Sequence, residues 1–255
     1  DKEGVFKEKL SLLEASPDTK GVLNGEDTYL CRLRNRKNIY WFGRNRDNDL
    51  YYRLKKREKA VSHFLIQDKH EVVLPIYREK FIVNAAAALL TASLLGYDLK
   101  KMAEKINDFD RFPSMRMEMQ ELNGYLVLND AYNSNPYSLR ESLKVLKYYK
   151  CPKIAIIGDM LELGRKSVYY HKNAAHSLRS GGFEWVVLTG RNSRHIQEEL
   201  KNLGCKNTVF LESCEKIAGF IKKHSQRRNK LKKRYLLFLK GSRSMGLEKV
   251  IDYLK

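Results

Sequence analysis

Apolar positions in the first hundred residues change period several times. "EGVFKEKLSLLEA" sets Val5, Phe6, Leu10, Leu12 and Leu13 at near-helical spacing and predicts an amphipathic helix. "KGVLN" (residues 20–24) reads as a short buried strand, closed by the turn chemistry of Asn-Gly-Glu-Asp. "NIYWFG", "SHFLIQ" and "EVVLPI" also read as strands, the last two joined as a hairpin through Asp68-Lys69-His70. An alanine-rich helix is predicted from about Phe81 to Leu95. A second, "DLKKMAEKIND", starts with Asp98 as its N-cap.

"FDRFPSMRMEM" interrupts this sequence of elements. Pro113 stops helix, and Met117, Met119 and Leu122 resume with strand alternation. We therefore expect two domains, residues 1–113 and 114–255. In the second, "YLVLND", "KIAIIGD", "WVVLTG", "NTVFL" and "RYLLFLKG" alternate with helical segments. That is the βαβ rhythm of a Rossmann-like, mostly parallel sheet covered on both faces, so the fold class is α/β.

Open sheets of this kind receive ligands at the carboxyl ends of their strands. Those ends read "NDAYNSNP", "GDMLELG", "TGRNS" and "KGSRSMG", and polar residues concentrate there. In the first, Asn135 can cap a helix, Pro136 suits its first position, Asn133 tolerates a turn, and Leu139, Leu143 and Leu146 form a buried stripe. Capping leaves Asp130, Tyr132 and Asn133 unexplained. An acid at a strand end beside a helix N-terminus is well placed to accept hydrogen bonds from ribose hydroxyls. In the second, Asp159 and Glu162 are either solvated turn acids or a carboxylate pair for a cationic group such as a substrate amine. In the last, Gly241 and Ser242 let backbone amides approach an anion, and Lys240 and Arg243 can neutralise a phosphate or carboxylate. No GxxxxGK[ST] occurs, so the chain holds no Walker-type phosphate cradle.

Composition narrows the function classes. Of 255 residues 43% are hydrophobic, with Gly 15 and Pro 5, which is a globular balance. No apolar run reaches membrane-spanning length; "NAAAALLTASLLGY" comes nearest. There is no signal peptide, and a start at Asp1 suggests a fragment or a trimmed chain. Cys31, Cys151, Cys205 and Cys214 form no CxxC pair and fit a reducing cytosol. His171 and His176, five apart, do not share a helical face, so no metal site is expected; His171 alone reads as structural. The net charge of +19 favours anionic partners. Its densest run, "KKHSQRRNKLKKR" (residues 222–234), lacks a stacking aromatic and reads as a solvated helix end rather than a nucleic-acid surface.

These corners, in this order, resemble the Mur ligases, in their MurF type. The similarity runs through "EGVFKEK", "VLNGED", "VNAAAALLTASLLG", "RMEM", "NDAYNSNP", "GDMLELG" and "KGSRSMGLEKVIDYL", essentially residues 3–255. The resemblance implies an ATP-dependent amide ligase that joins D-alanyl-D-alanine to a UDP-N-acetylmuramoyl-tripeptide through an acyl phosphate. It implies ATP and Mg2+ as cofactors, a cytoplasmic location and a monomer without membrane insertion. Residues 1–113 would be the back part of a central ATPase domain and 114–255 the C-terminal ligase domain. On this template Asn84 contacts adenine, Asp130 holds the ribose, and Tyr132, Asn133 and Asn135 shape the nucleotide side. Arg116 reaches the ATP phosphates. Asp159, Glu162, Lys240, Gly241, Ser242 and Arg243 line the dipeptide pocket, with Arg116 and Lys240 as the catalytic cations.

Two departures stand out. Lys80 and Phe81 replace the His-Asn usual before the alanine-rich helix, and Asn24-Gly25-Glu26-Asp27 softens an NxDD pattern. The family's P-loop, magnesium-binding acid and modified lysine would precede Asp1, so the 255 residues alone are not expected to turn over ATP. Other ligases of the superfamily, of folylpolyglutamate or cyanophycin type, and a non-catalytic nucleic-acid-binding module are the competing expectations.

Overall fold

Two sheets organise the chain. A computed structural model describes residues 2–58, 61–109, 113–229 and 234–255. It separates into two compact units, residues 1–110 and 111–255.

In the first unit helix α1 (Lys2–Glu14) precedes a five-stranded sheet of β1 (Gly21–Asn24), β2 (Ile39–Gly43), β3 (Leu50–Glu58), β4 (Val61–Ile66) and β5 (His70–Pro75), paired in that order. The first three strands are parallel, and β3-β4-β5 form an antiparallel meander. The expected hairpin is present. Its turn places Gln67 and Asp68 at φ 52° and 57°, the two left-handed positions a tight hairpin favours. Strand β3 has no counterpart in the sequence reading. Its distal half, "RLKKRE", is exposed and carries almost no apolar alternation. Ion pairs tie that half down instead, Lys55 to Glu71 and Arg57 to Glu79.

Helices α2 (Ile82–Leu94) and α3 (Leu99–Asn107) follow, and Asp98 caps α3 by accepting from the Lys101 amide at 2.8 Å. Ile82, Ala86, Leu89 and Leu90 of α2 close the core over Leu50, Tyr52, Phe64 and Ile66. Helix α1 forms where expected but buries no residue fully: Phe6, Leu10 and Leu13 are half-buried, and Val5 and Leu12 are exposed.

The second unit holds a six-stranded sheet in the order β10-β9-β8-β11-β7-β6. These are β6 (Glu118–Leu122), β7 (Tyr125–Asn129), β8 (Lys153–Ile157), β9 (Trp185–Leu188), β10 (Thr208–Phe210) and β11 (Tyr235–Lys240). Every pairing is parallel except β6 with β7. The helices are α4 (Pro136–Leu146), α5 (Ser167–Arg179), α6 (Ser193–Asn202), α7 (Cys214–Asn229) and α8 (Lys249–Leu254). Helices α4, α5 and α6 pack in sequence, and α7 packs on α8. Val127, Ile154, Ile156, Leu237 and Leu239 meet Ile217, Ile221, Val250 and Ile251 in one core. Strand β11 is buried at all six residues, as a central parallel strand must be.

The last strand in sequence thus inserts between β7 and β8. The order reverses there, and the loops after β7, β8 and β11 emerge side by side. Of the basic run, Lys222 donates to the Tyr253 carbonyl and Arg234 pairs with Glu121. Residues 230–233 and the side chains of 226–229 lie outside the described residues.

Candidate functional site

The loop after β7 enters α4 through a reciprocal cap. Asn135 Oδ1 accepts from the Ser138 amide at 2.8 Å, Ser138 Oγ accepts from the Asn135 amide at 3.1 Å, and Pro136 takes the first helical position. Leu139, Leu143 and Leu146 are buried as expected. Tyr132, Asn133 and Asn135 stay exposed at the corner, with Tyr132 at 42%.

Asp130 is buried beneath them. Its Oδ2 accepts from Ser142 Oγ at 2.6 Å and from Lys240 Nζ at 2.8 Å, and its Oδ1 accepts from the Met117 amide at 3.1 Å. Lys240 Nζ also donates to the carbonyls of Asn133 (3.0 Å) and Asp130 (3.3 Å), so its three protons all have acceptors in the chain. The two side chains are only 2% and 9% exposed. A carboxylate and an ammonium this dry persist because each neutralises the other and both are fully hydrogen-bonded.

Arg116 stands on the rim. It is exposed, and its guanidinium lies 4.0 Å from the centre of the Tyr132 ring. A cation stacked on an exposed phenol, beside the exposed side chains of Asn133 and Asn135, is a surface suited to an anionic, aromatic ligand.

The loop after β8 is built around a second buried acid. Asp159 accepts from the Ser193 amide (2.8 Å), Ser193 Oγ (3.0 Å) and the Asn192 amide (3.1 Å), which caps the N-terminus of α6. Ser242 joins this loop to the one after β11: its amide donates to the Asp159 carbonyl and its hydroxyl accepts from the Leu161 amide, both at 2.9 Å. Gly241 sits where a Cβ would come within 3.2 Å of Gly158 Cα, so the two loops meet backbone to backbone. His171, fully buried, accepts from the Met160 amide through Nε2 (3.0 Å) and donates from Nδ1 to the Ser167 carbonyl (2.8 Å). Burial holds its imidazole below the ordinary range, so it is neutral. Glu162 is exposed with φ 62°, and Arg243 is exposed and pairs with Glu248.

Of the residues singled out from the sequence, Arg116, Asp130, Tyr132, Asn133, Asn135 and Lys240 gather at the ends of β7 and β11. Asp159, Gly241 and Ser242 gather at the ends of β8 and β11, with Glu162 in the loop beyond. Asn84 is exposed on α2 of the first unit. The sequence reading gave no role to Ser142, and it quoted Asn192 and Ser193 within the strand end "TGRNS" without assigning them one. Ser142 carried one signal: a hydroxyl within the apolar stripe of α4.

Among the described residues no three His, Cys, Asp or Glu side chains gather as a metal site. Asp130 and Asp159 are committed to their own chain. Among the described residues the rim carries a cation and a phenol of the kind a nucleotide would meet, and no cluster of three acids or histidines.

The family model described as "Mur ligase, glutamate ligase domain" matches residues 115–243, a span that contains the first three strand-end loops and the start of the fourth. The chain is 26% identical over 223 residues to the UDP-N-acetylmuramoyl-tripeptide–D-alanyl-D-alanine ligase of Rickettsia prowazekii, covering 85% of this chain and 47% of that protein. It superposes on MurF from Acinetobacter baumannii with a TM-score of 0.80 at 20% identity, over 94% of this chain and 52% of that one. For MurF ligase from Thermotoga maritima in complex with ADP the TM-score is 0.74 at 22% identity, over 93% and 53%. The chain spans about half the length of the relatives it matches.

Proposed function

The chain belongs to the Mur ligase family, and from that premise we propose that it is the nucleotide-facing and amine-facing part of an ATP-dependent ligase of MurF type. The reaction would join D-alanyl-D-alanine to UDP-N-acetylmuramoyl-tripeptide in peptidoglycan synthesis. The observation that carries this reading is the corner after β7, where Arg116, Tyr132, Asn133 and Asn135 surround a buried ion pair inside the span the family model matches. The likeness to an ADP-bound relative supports a nucleotide as its ligand.

The chemistry requires three things. ATP supplies a phosphoryl group to a substrate carboxylate, which makes phosphate a leaving group. The dipeptide amine attacks the acyl carbon, and phosphate departs from the tetrahedral intermediate. Negative charge develops on phosphoryl and acyl oxygens, and cations offset it. Arg116 is the exposed cation of the corner, and we assign it to the phosphates. Tyr132, Asn133 and Asn135 take the nucleoside side; Asn84, on α2 of the first unit, is assigned separately as an adenine contact. Glu162 and Arg243 face the dipeptide, one for its ammonium and one for its carboxylate. Asp159, Gly241 and Ser242 shape the loops that present them.

Residues 1–113 then correspond to part of the central ATP-binding domain and 114–255 to the ligase domain. Without a Walker motif, these 255 residues should bind nucleotide weakly and release no phosphate. Calorimetric titration with ADP, alongside phosphate release in the presence of ATP and both substrates, tests the reading. Measurable ADP affinity that falls in Arg116→Ala supports it, and affinity indifferent to Arg116 refutes it.

A further inference from the structure

Arg116 occupies a turn that its own sequence does not favour. Met115 and Met117, on either side, have φ of 56° and 51°, left-handed values that residues with a side chain rarely adopt. Backbone in such a conformation persists only where its surroundings impose it. Here the surroundings are the corner after β7. The Tyr132 amide donates to the Met115 carbonyl at 3.0 Å, and the Met117 amide donates to Asp130 Oδ1 at 3.1 Å. Locally the Met115 amide donates to Glu118 Oε2 at 2.8 Å, and Arg243 Nη1 reaches Met115 Sδ at 3.3 Å.

Asp130 can hold Met117 only if Asp130 is itself fixed. Lys240 and Ser142 fix it, and the bond from Lys240 to the Asn133 carbonyl fixes the backbone of the same corner. A continuous chain of contacts therefore runs from Lys240, at the end of β11, through Asp130 to the Met117 amide beside Arg116.

We propose that Asp130 and Lys240 are positioning residues for Arg116. They lock the left-handed turn so that the guanidinium stands over Tyr132 at the rim, and Lys240 does not itself meet the reacting groups. The functional consequence rests on the reading that Arg116 faces the phosphates of a nucleotide. The structural core of the proposal is independent of that reading.

The test compares wild type, Arg116→Ala, the double variant Asp130→Leu/Lys240→Met and the triple combination. The double variant removes both charges together and leaves no buried ion unpaired. In it, hydrogen exchange at the Met117 amide should accelerate at least about tenfold (a factor of ten being 1.4 kcal/mol), while β7 stays protected. Unchanged Met117 exchange in a folded double variant overturns the proposal.

ADP titration adds a cycle. Positioning predicts that the double variant and Arg116→Ala each weaken ADP about tenfold, and that the triple variant is less than twofold worse than Arg116→Ala. Multiplicative losses would mean that Asp130 or Lys240 contacts the nucleotide directly, which also overturns it. If wild type binds no ADP, the functional reading fails while the exchange result still decides the positioning. If the double variant does not fold, 15N relaxation of wild type decides. Order parameters near about 0.85 at residues 116 and 117 are expected, and values below about 0.6 overturn it.

Discussion

Lys240 Nζ lies 2.8 Å from Asp130 Oδ2 across 110 residues of sequence, and neither side chain is more than 9% exposed. This pair joins the last strand of the second sheet to the corner after β7. Removing one partner strands a charge in a dry site. Lys240→Met alone should cost about 3–5 kcal/mol of unfolding free energy, and Asp130→Leu/Lys240→Met should recover most of that loss. Urea denaturation of the three proteins measures both. A single variant as stable as wild type would mean that water reaches the pair.

His171 gives the second unit a pH dependence with a definite sign. Its folded pKa is depressed by burial, so the unfolded chain binds the proton more readily than the folded one. The stability it contributes is complete above the unfolded pKa, near 6.5, and is lost as pH falls through the folded value. Between pH 7.5 and 5.5 wild type should lose stability relative to His171→Gln, with a limiting slope of about 1.4 kcal/mol per pH unit. Chemical denaturation at both pH values reads the difference. Equal losses in the two proteins would remove His171 as the cause.

The glycines offer a contrast between close approach and idle freedom. A Cβ on Gly241 would meet Leu247 Cδ1 at 2.8 Å and the Gly158 backbone at 3.2 and 3.4 Å. Gly241→Ala should therefore cost about 1–3 kcal/mol, because the two loops cannot separate without breaking the Ser242 bonds. Gly219 lies within α7, where a Cβ would meet nothing within 4 Å. Gly219→Ala should stabilise by about 0.5–1 kcal/mol. Thermal unfolding of the pair suffices, with shifts of opposite sign expected.

Local features were legible from the sequence, and those that depend on strand order were not. The cap at Asn135 and Pro136, the stripe of Leu139, Leu143 and Leu146, and the α3 cap at Asp98 are set by residues within one turn of each other. Asp130 could be recognised as unusual, but its partner could not be identified, because β11 lies beside β7 only through the sheet order. The same holds for Asp159, whose donors Asn192 and Ser193 belong to the next loop but one. Strand β3 escaped notice for a different reason: its outer half is held by ion pairs, which leave no hydrophobic period. The left-handed turn around Arg116 had no sequence signal, since neither Met115 nor Met117 is a residue that favours it.

Asp159 and Glu162 looked equivalent as acids of one loop, and the structure separates them. Asp159 is buried and accepts from the main chain and side chains of Asn192 and Ser193 at the start of α6, whereas Glu162 is exposed. Asp159→Ala leaves the Asn192 and Ser193 amides without their side-chain acceptor, while Ser193 Oγ keeps the Thr189 and Gly190 carbonyls, and should cost about 1–3 kcal/mol. Asp159→Asn, which retains an oxygen, should cost less. Glu162→Gln should leave stability within about 0.5 kcal/mol of wild type, as exposed substitutions do. Its effect should fall on the dipeptide instead. If Glu162 receives the D-alanyl-D-alanine ammonium, KM for that substrate, measured in ligation assays of a longer protein that carries a P-loop upstream of these residues, rises on the order of tenfold, about 1.4 kcal/mol of binding, with KM for ATP unchanged. A KM indifferent to Glu162 would leave Arg243 as the remaining exposed charge assigned to the dipeptide, and would require its ammonium to be met by residues other than the acids of this loop.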